Sequence, residues 1–409
     1  MEPITEVDIH TSLSISQRAR DMQGSPIRKL AAKAEARKKQ GIRVYHLNIG
    51  QPDLPTSPAV FEAIRKFDQK TIAYAPSNGL SPALSGWKTY FHKVGIEFDE
   101  KEMIVTTGGS EAIIMALIAV CDAGDEVIVF EPFYTNYNGF ASIANVKLRP
   151  VPLAIQDGFH LPAAKEIEPY ITTKTRAFII NSPSNPTGAV YAREEIQRIV
   201  DLAKRHNLFV ISDEAYREFA YESKAVGIAE FPEIRDQAIL VDSCSKRFNV
   251  CGARIGVIAS HNDEVISSAL KFGQARLSVA TIEQVAVTPL LDDPLPYTRP
   301  IVAEFRKRRD VVIEALGNIP GVTYYKPEGA FYIVIGLPVE NAEDFSRWMI
   351  EEFEYMKETV LVAPGQGFYA TAGKGINEVR LAFMLNVEDM KKSMTILGAA
   401  LKEYNGKGK

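Results

Sequence analysis

Cysteine is scarce in this chain: three among 409 residues, at positions 121, 244 and 251. Three thiols do not make a disulfide framework, and the count fits a reducing, cytoplasmic setting. The histidines are scattered at 10, 46, 92, 160, 206 and 261, and Cys244 and Cys251 stand at a poor metal spacing, so no metal site is expected. An excess of one charge is also lacking. A formal net charge of −4 gives no electrostatic case for a nucleic-acid partner. No apolar run is long enough to span a bilayer, and residues 1–16 show no basic patch followed by an apolar core. Neither a membrane span nor a signal peptide is therefore expected. Internal repeats and low-complexity tracts are missing as well.

What remains is a globular composition, 46% hydrophobic and 24% charged. At 409 residues the chain exceeds one simple core, and two domains are expected. From residue 103 onward, short apolar runs alternate with helical segments: 103–106, 127–130, 177–180, 209–211, 239–241 and 255–259. Near-continuous apolar runs separated by helices predict an α/β fold around a mostly parallel sheet buried on both faces. Ligands of such sheets bind beyond the carboxyl ends of the strands. From about residue 300 the pattern changes to mixed strands and helices, with a long helix over 301–316 beginning at a proline. Residues 28–39 read as a basic, solvated helix.

Polar residues cluster where the apolar runs end. Gly109, Ser110 and Glu111 open a helix after the first run, where free backbone N–H groups make either an anion site or a plain serine cap. Tyr134 lies in an aromatic loop after the second, able to stack on a flat ring or to fold onto the core. Asn185 follows the third in a turn stiffened by Pro183, Pro186 and Gly188. Asp213 and Tyr216 follow the fourth; a carboxylate there needs a cationic partner or serves as a helix cap. The fifth run leads to Lys246, preceded by Ser243 and Ser245 and followed by Arg254. Two hydroxyls and a guanidinium suit a phosphate, and a lysine beside cations can become a carbonyl-seeking nucleophile. Together these groups supply what pyridoxal phosphate requires. Residues 365–370 match a dinucleotide fingerprint, but no helix is expected after them, so that reading is set aside.

The order and spacing of these motifs resemble the fold-type I, pyridoxal-phosphate-dependent class I/II aminotransferases, of the aspartate aminotransferase kind. The resemblance runs from about Asn48 and rests on Tyr74 and Gly79, Gly109-Ser110, 185–188, Asp213 and Tyr216, Ser243-x-Ser245-Lys246 with Arg254, and the late Arg380. It implies a seven-stranded sheet in a large domain, residues 48–299, and a smaller α+β domain from 1–47 plus 300–409. Lys246 would carry the cofactor as a Schiff base and shuttle the proton. Asp213 would meet the pyridine nitrogen, Tyr216 and Asn185 the phenolic oxygen, and Tyr134 the ring face. Gly109, Ser110, Ser243, Ser245 and Arg254 would hold the phosphate, with Glu111 at the same helix start and Tyr74 reaching over from the partner subunit of a homodimer. Arg380, with Gly50 and Asn185, would clamp the substrate α-carboxylate. The implied reaction is amino-group exchange between an L-amino acid and a 2-oxo acid, aspartate or glutamate with 2-oxoglutarate or oxaloacetate. An aromatic or broad-range aminotransferase and a lyase of the same fold are the alternatives. Some relatives that use aspartate carry a lysine where this chain has Ser110. Arg276 lies in the region, about two positions from the expected place, where dicarboxylate enzymes of the family often carry an arginine that reads the distal carboxylate from the partner subunit; a solvent-exposed arginine or an interface ion pair is the alternative.

Overall fold

A computed structural model describes residues 13–407. The expectations for His10, for a signal peptide and for the first residues of the small domain fall in residues 1–12, outside the described residues. A short strand β1 (Arg43–His46) leads into the main sheet. That sheet consists of β2 (Met103–Thr106), β3 (Glu126–Glu131), β4 (Lys147–Pro152), β5 (Thr175–Asn181), β6 (Phe209–Asp213), β7 (Ala238–Ser243) and β8 (Gly256–Ala259). Their spatial order is β2-β8-β7-β6-β5-β3-β4, and only β8 runs antiparallel to its neighbours.

The apolar runs are continuous because both faces of this sheet are covered, and their alternation separates two cores. Ile128, Phe130, Phe178, Ile180, Val210 and Leu240 face one core, which contains Trp87, Tyr90 and Phe91. Val127, Val129, Ala177, Ile179, Ile211, Ile239 and Val241 face the other, with Ile113, Leu117 and Tyr137.

A four-stranded sheet follows, ordered β12 (Ala363–Pro364), β13 (Glu378–Ala382), β10 (Tyr332–Gly336), β9 (Thr323–Tyr324). Helices Leu295–Leu316, Ala342–Glu351 and Val387–Lys407 bury Phe305, Phe345, Met390, Met394 and Leu397 against it. β11 (Glu358–Leu361) pairs with β1 in parallel.

Three details differ from expectation. β4 is an added strand; its Pro150 and Pro152 are tolerated because it lies at the sheet edge. The long helix begins at Leu295, with Pro300 inside its second turn, so the expected boundary at residue 300 falls within one helix. The basic helix, Ala31–Lys39, has one covered side: Leu30 and Ala34 pack on Ile350 and Leu361.

Candidate active site

The period of two that sorts the cores also builds the site. On β5, β6 and β7 the face that carries Ile179, Ile211 and Val241 continues at the strand ends with Asn181, Asp213 and Ser243. Asn181 and Asp213 are register partners. Asp213 is buried. Its Oδ2 accepts from the Tyr137 hydroxyl at 2.9 Å, and Oδ1 accepts from the Ala215 N–H at 3.3 Å. Burial pushes its carboxyl up to about 6, against the Tyr137 hydrogen bond, which lowers it. No helix starts at Asp213, so the capping alternative is excluded. Asn181 Nδ2 donates to the Asp213 carbonyl at 2.8 Å, and Asn181 Oδ1 accepts from the Asn185 N–H at 2.7 Å, fixing the turn that carries Asn185.

Lys246 sits on a short helix, Cys244–Arg247, where a simple turn was expected; Ser243 caps it by accepting from the Ser245 N–H at 3.2 Å. Asp242, on the opposite face of β7, pairs with buried Arg247, whose guanidinium lies 4.1 Å from the Tyr90 ring centre. That contact anchors the lysine's helix from below. The Lys246 ammonium donates to the Gly50 carbonyl at 2.9 Å and lies 3.8 Å from the Cys251 sulfur.

Arg254 has left-handed backbone (φ 55°), and its guanidinium donates to the carbonyls of Cys251 at 3.1 Å and Thr107 at 3.5 Å. Ser245 Oγ lies 3.5 Å away, and Ser243 Oγ donates to Ser245 Oγ at 2.9 Å. Gly108, at the helix start beneath it, has φ 75°, a left-handed backbone that favours glycine, and a Cβ there would also stand 2.5 Å from Arg254 Nη2. Arg380 lies at the other end. Val379 and Leu381 point into the core of the four-stranded sheet, so alternation turns Arg380 the other way. It is 1% exposed, and its Nη1 and Nη2 donate to Asn185 Oδ1 at 2.9 Å and the Asn48 carbonyl at 2.6 Å. It lies over the rings of Tyr332 and Phe368, at 4.4 and 4.9 Å, and its Nε has no partner. Neither Arg254 nor Arg380 pairs with a carboxylate among the described residues; their hydrogen bonds go to backbone carbonyls, Ser245 and Asn185. Burial draws the Arg380 pKa below its ordinary value.

A single cavity of about 460 Å³ gathers most of the expected residues: Gly50, Gly109, Ser110, Tyr134, Asn185, Asp213, Tyr216, Ser243, Ser245, Lys246, Arg254 and Arg380. Three stand outside this chain's cavity. Glu111 accepts from the Thr107 N–H at 2.7 Å and from Arg276 Nε at 3.0 Å. Arg276 Nη2 donates to the Val105 carbonyl at 2.7 Å, so the arginine braces the helix start instead of facing the cavity. Tyr74 is 80% exposed. Sequence reasoning missed Tyr137, Asn181, Cys251, Tyr332 and Arg28. For Asn181 a signal existed: it stands at the same strand-end parity as Asp213.

A family model described as aminotransferase class I and II matches residues 42–395. This chain belongs to the class I and II aminotransferases. Among curated relatives, a probable aspartate/prephenate aminotransferase of Aquifex aeolicus is 30% identical over 95% of this chain and 99% of its own. Among solved structures, a single mutant of Thermus thermophilus aspartate aminotransferase superposes with a TM-score of 0.86 at 29% identity, covering 95% of this chain and all of that one. Alanine aminotransferase from Pyrococcus furiosus superposes at 0.87 with 27% identity, covering 95% and 100%. The aminotransferase uses pyridoxal phosphate and catalyses transamination. Its cavity fits that cofactor. Arg254, without an anionic partner among the described residues, stands beside two serine hydroxyls and the N-terminus of helix Gly108–Val120, as a phosphate requires. Asp213, buried with no cation paired to it, suits a ring nitrogen that keeps its proton.

Proposed function

We propose that this aminotransferase takes its amino group from a dicarboxylic L-amino acid, aspartate or glutamate, and passes it to a 2-oxo acid such as 2-oxoglutarate or oxaloacetate. One observation carries the transamination at the centre of this reading: Arg254 and Arg380, which among the described residues have no carboxylate partner, line one cavity with Lys246 and Asp213. Bound pyridoxal phosphate supplies an electron-accepting ring. Asp213 holds a proton on the ring nitrogen. Asn185 and Tyr216 donate toward the ring's oxygen, and Tyr134 covers its face. Ser243, Ser245, Arg254 and the N–H groups at Gly109 and Ser110 hold the phosphate. Arg380 grips the substrate α-carboxylate in a fork that Asn185 and the Asn48 carbonyl orient. Lys246 Nζ, hydrogen-bonded to the Gly50 carbonyl, would take the proton from the substrate α-carbon and hold it as a general base. The dicarboxylate preference is supported by relatives named for aspartate.

The reading includes a homodimer in the cytoplasm in which Tyr74 reaches the partner's phosphate, and a division into residues 48–299 and the remainder. Among the described residues no helix is long and apolar enough to cross a membrane. A second reading, a broad-range enzyme, has Ser110 and the alanine aminotransferase likeness in its favour. A donor panel against 2-oxoglutarate tests the proposal. Aspartate and glutamate should lead, each alone should change the spectrum of the bound cofactor, and a 2-oxo acid should reverse that change. Equal rates for alanine and phenylalanine would leave the broad-range reading. Light scattering that gave an active monomer would remove the shared site.

A further inference from the structure

We infer that Arg28 reads the side chain of the substrate, its guanidinium taking the distal carboxylate of a dicarboxylic donor or acceptor. The inference rests on the dicarboxylate reading above and assigns a residue to it. Arg28 ends a short 3-10 turn, Pro26–Arg28, whose position is fixed from two sides. Asn48 Nδ2 donates to the Ile27 carbonyl at 2.8 Å, while the Asn48 carbonyl accepts from Arg380 Nη2. One asparagine thus ties this turn to the arginine that grips the α-carboxylate. On the other side Ile27 packs against Ala363, Phe368 and Tyr369, and Pro26 lies so close to Gly367 that a Cβ there would meet it at 2.3 Å. Arg28 therefore hangs at the Arg380 end of the cavity, away from the phosphate end.

Its charge is uncommitted. Arg28 lines the cavity, is exposed, and makes no side-chain hydrogen bond or ion pair among the described residues. Arg254 serves the opposite end, Arg380 is directed at the α-carboxylate, and Arg276 is occupied by Glu111. Among the described residues Asp213 is the only carboxylate side chain lining the cavity, and the ring nitrogen of the bound cofactor would neutralise it. One guanidinium is left over beside the place where a substrate side chain emerges, and a second carboxylate matches its charge and fork geometry.

The experiment compares Arg28→Gln and Arg28→Lys with wild-type holoenzyme in two measurements. The first is the ratio of kcat/KM for aspartate to that for alanine. The second is the affinity for maleate, a non-reacting dicarboxylate, against isocrotonate, its cis monocarboxylate counterpart. The glutamine variant should lower both preferences by about ten- to a thousandfold, with lysine retaining part of each. Preferences that survive in Arg28→Gln would overturn the assignment of Arg28 and leave the dicarboxylate reading intact. A wild-type enzyme that prefers neither aspartate nor maleate would overturn the dicarboxylate reading itself, and this inference with it.

Discussion

The two ends of the cavity each offer an arginine to an anion, and they prepare it in opposite ways. Arg380 is 1% exposed and held rigidly by Asn185, the Asn48 carbonyl and two aromatic faces. Arg254 stands on an exposed, left-handed residue, steadied by backbone carbonyls and surrounded by hydroxyls and helix N–H groups. A buried guanidinium has already lost its water, so an arriving carboxylate meets a strong, directional partner, and removing either leaves a charge stranded. A half-open cup spreads the anion over several donors, no one of them indispensable. The buried end is built for a ligand that enters and leaves in a fixed pose at every turnover. The open end is built for one that stays.

The largest effect tests whether both ends serve one reacting point. Lys246→Ala should lower turnover by about four orders of magnitude or to background, with cofactor still held noncovalently. Borohydride reduction of native enzyme should label Lys246, and a label on another lysine would separate the two ends. Next, Arg380→Ala and Arg380→Lys should each cost about 2–5 kcal/mol in kcat/KM for every donor, since lysine lacks the fork. Cofactor affinity should change little. Arg254→Ala should do the reverse: cofactor affinity falls by about ten- to a hundredfold, and added cofactor restores most turnover. Equal behaviour of the two variants would erase the contrast.

Asp213 sharpens the comparison at the deep wall between the ends. Its carboxyl is raised to about 6 by burial. An unfolded aspartate titrates near 3.9, so between roughly pH 4 and 6 the folded apoprotein keeps a proton that the unfolded chain loses. Stability of the apoprotein therefore falls as pH rises through that window and stays lower above it, by about 3 kcal/mol at most. Asp213→Asn removes this dependence. Thermal unfolding of the two apoproteins at pH 4 and pH 8 should show the variant gaining on wild type as pH rises, while losing most activity. A constant difference would mean that Asp213 is not held against its own charge.

Much of this was legible in order and spacing, because apolar runs mark buried parallel strands and ligands lie at their carboxyl ends. The sheet, the cavity's Lys246, Asp213 and Asn185, and the glycine-serine helix start all follow from that, while Arg380, inside a strand of the other sheet, was legible only through the family resemblance. What was not legible depends on distance in the chain. Tyr137 reaches Asp213 across 76 positions, from an aromatic loop in which Tyr134 was the obvious choice. Arg28 looked like one more solvated cation, since only the Asn48 link shows that its turn abuts Arg380. β4 carries prolines and charges that hide it until it is seen at an edge. Arg276 was singled out by its location in the chain, and location did not disclose that Glu111 would occupy it.

Arg276 is where the smallest effect is expected. Its Nε meets both Glu111 oxygens, at 3.0 and 3.1 Å, and Glu111 in turn accepts from the Thr107 N–H that begins the phosphate loop. Glu111 lies in the first turn of helix Gly108–Val120, where an acidic residue also suits the helix dipole, and Arg276 reaches it from the C-terminus of helix Asp263–Ala275. Both partners are partly exposed, at 17% and 22%, so screening by water keeps the pair to about 1 kcal/mol. Arg276→Ala should therefore lower the melting temperature slightly, weaken cofactor binding by less than about tenfold, and slow aspartate, glutamate and alanine alike. Glu111→Gln should do the same, because the two side chains act as one brace. Loss confined to the dicarboxylates in Arg276→Ala, absent in Glu111→Gln, would instead give the arginine a substrate of its own across a subunit boundary. The buried end would then share its specificity with a second chain rather than with Arg28.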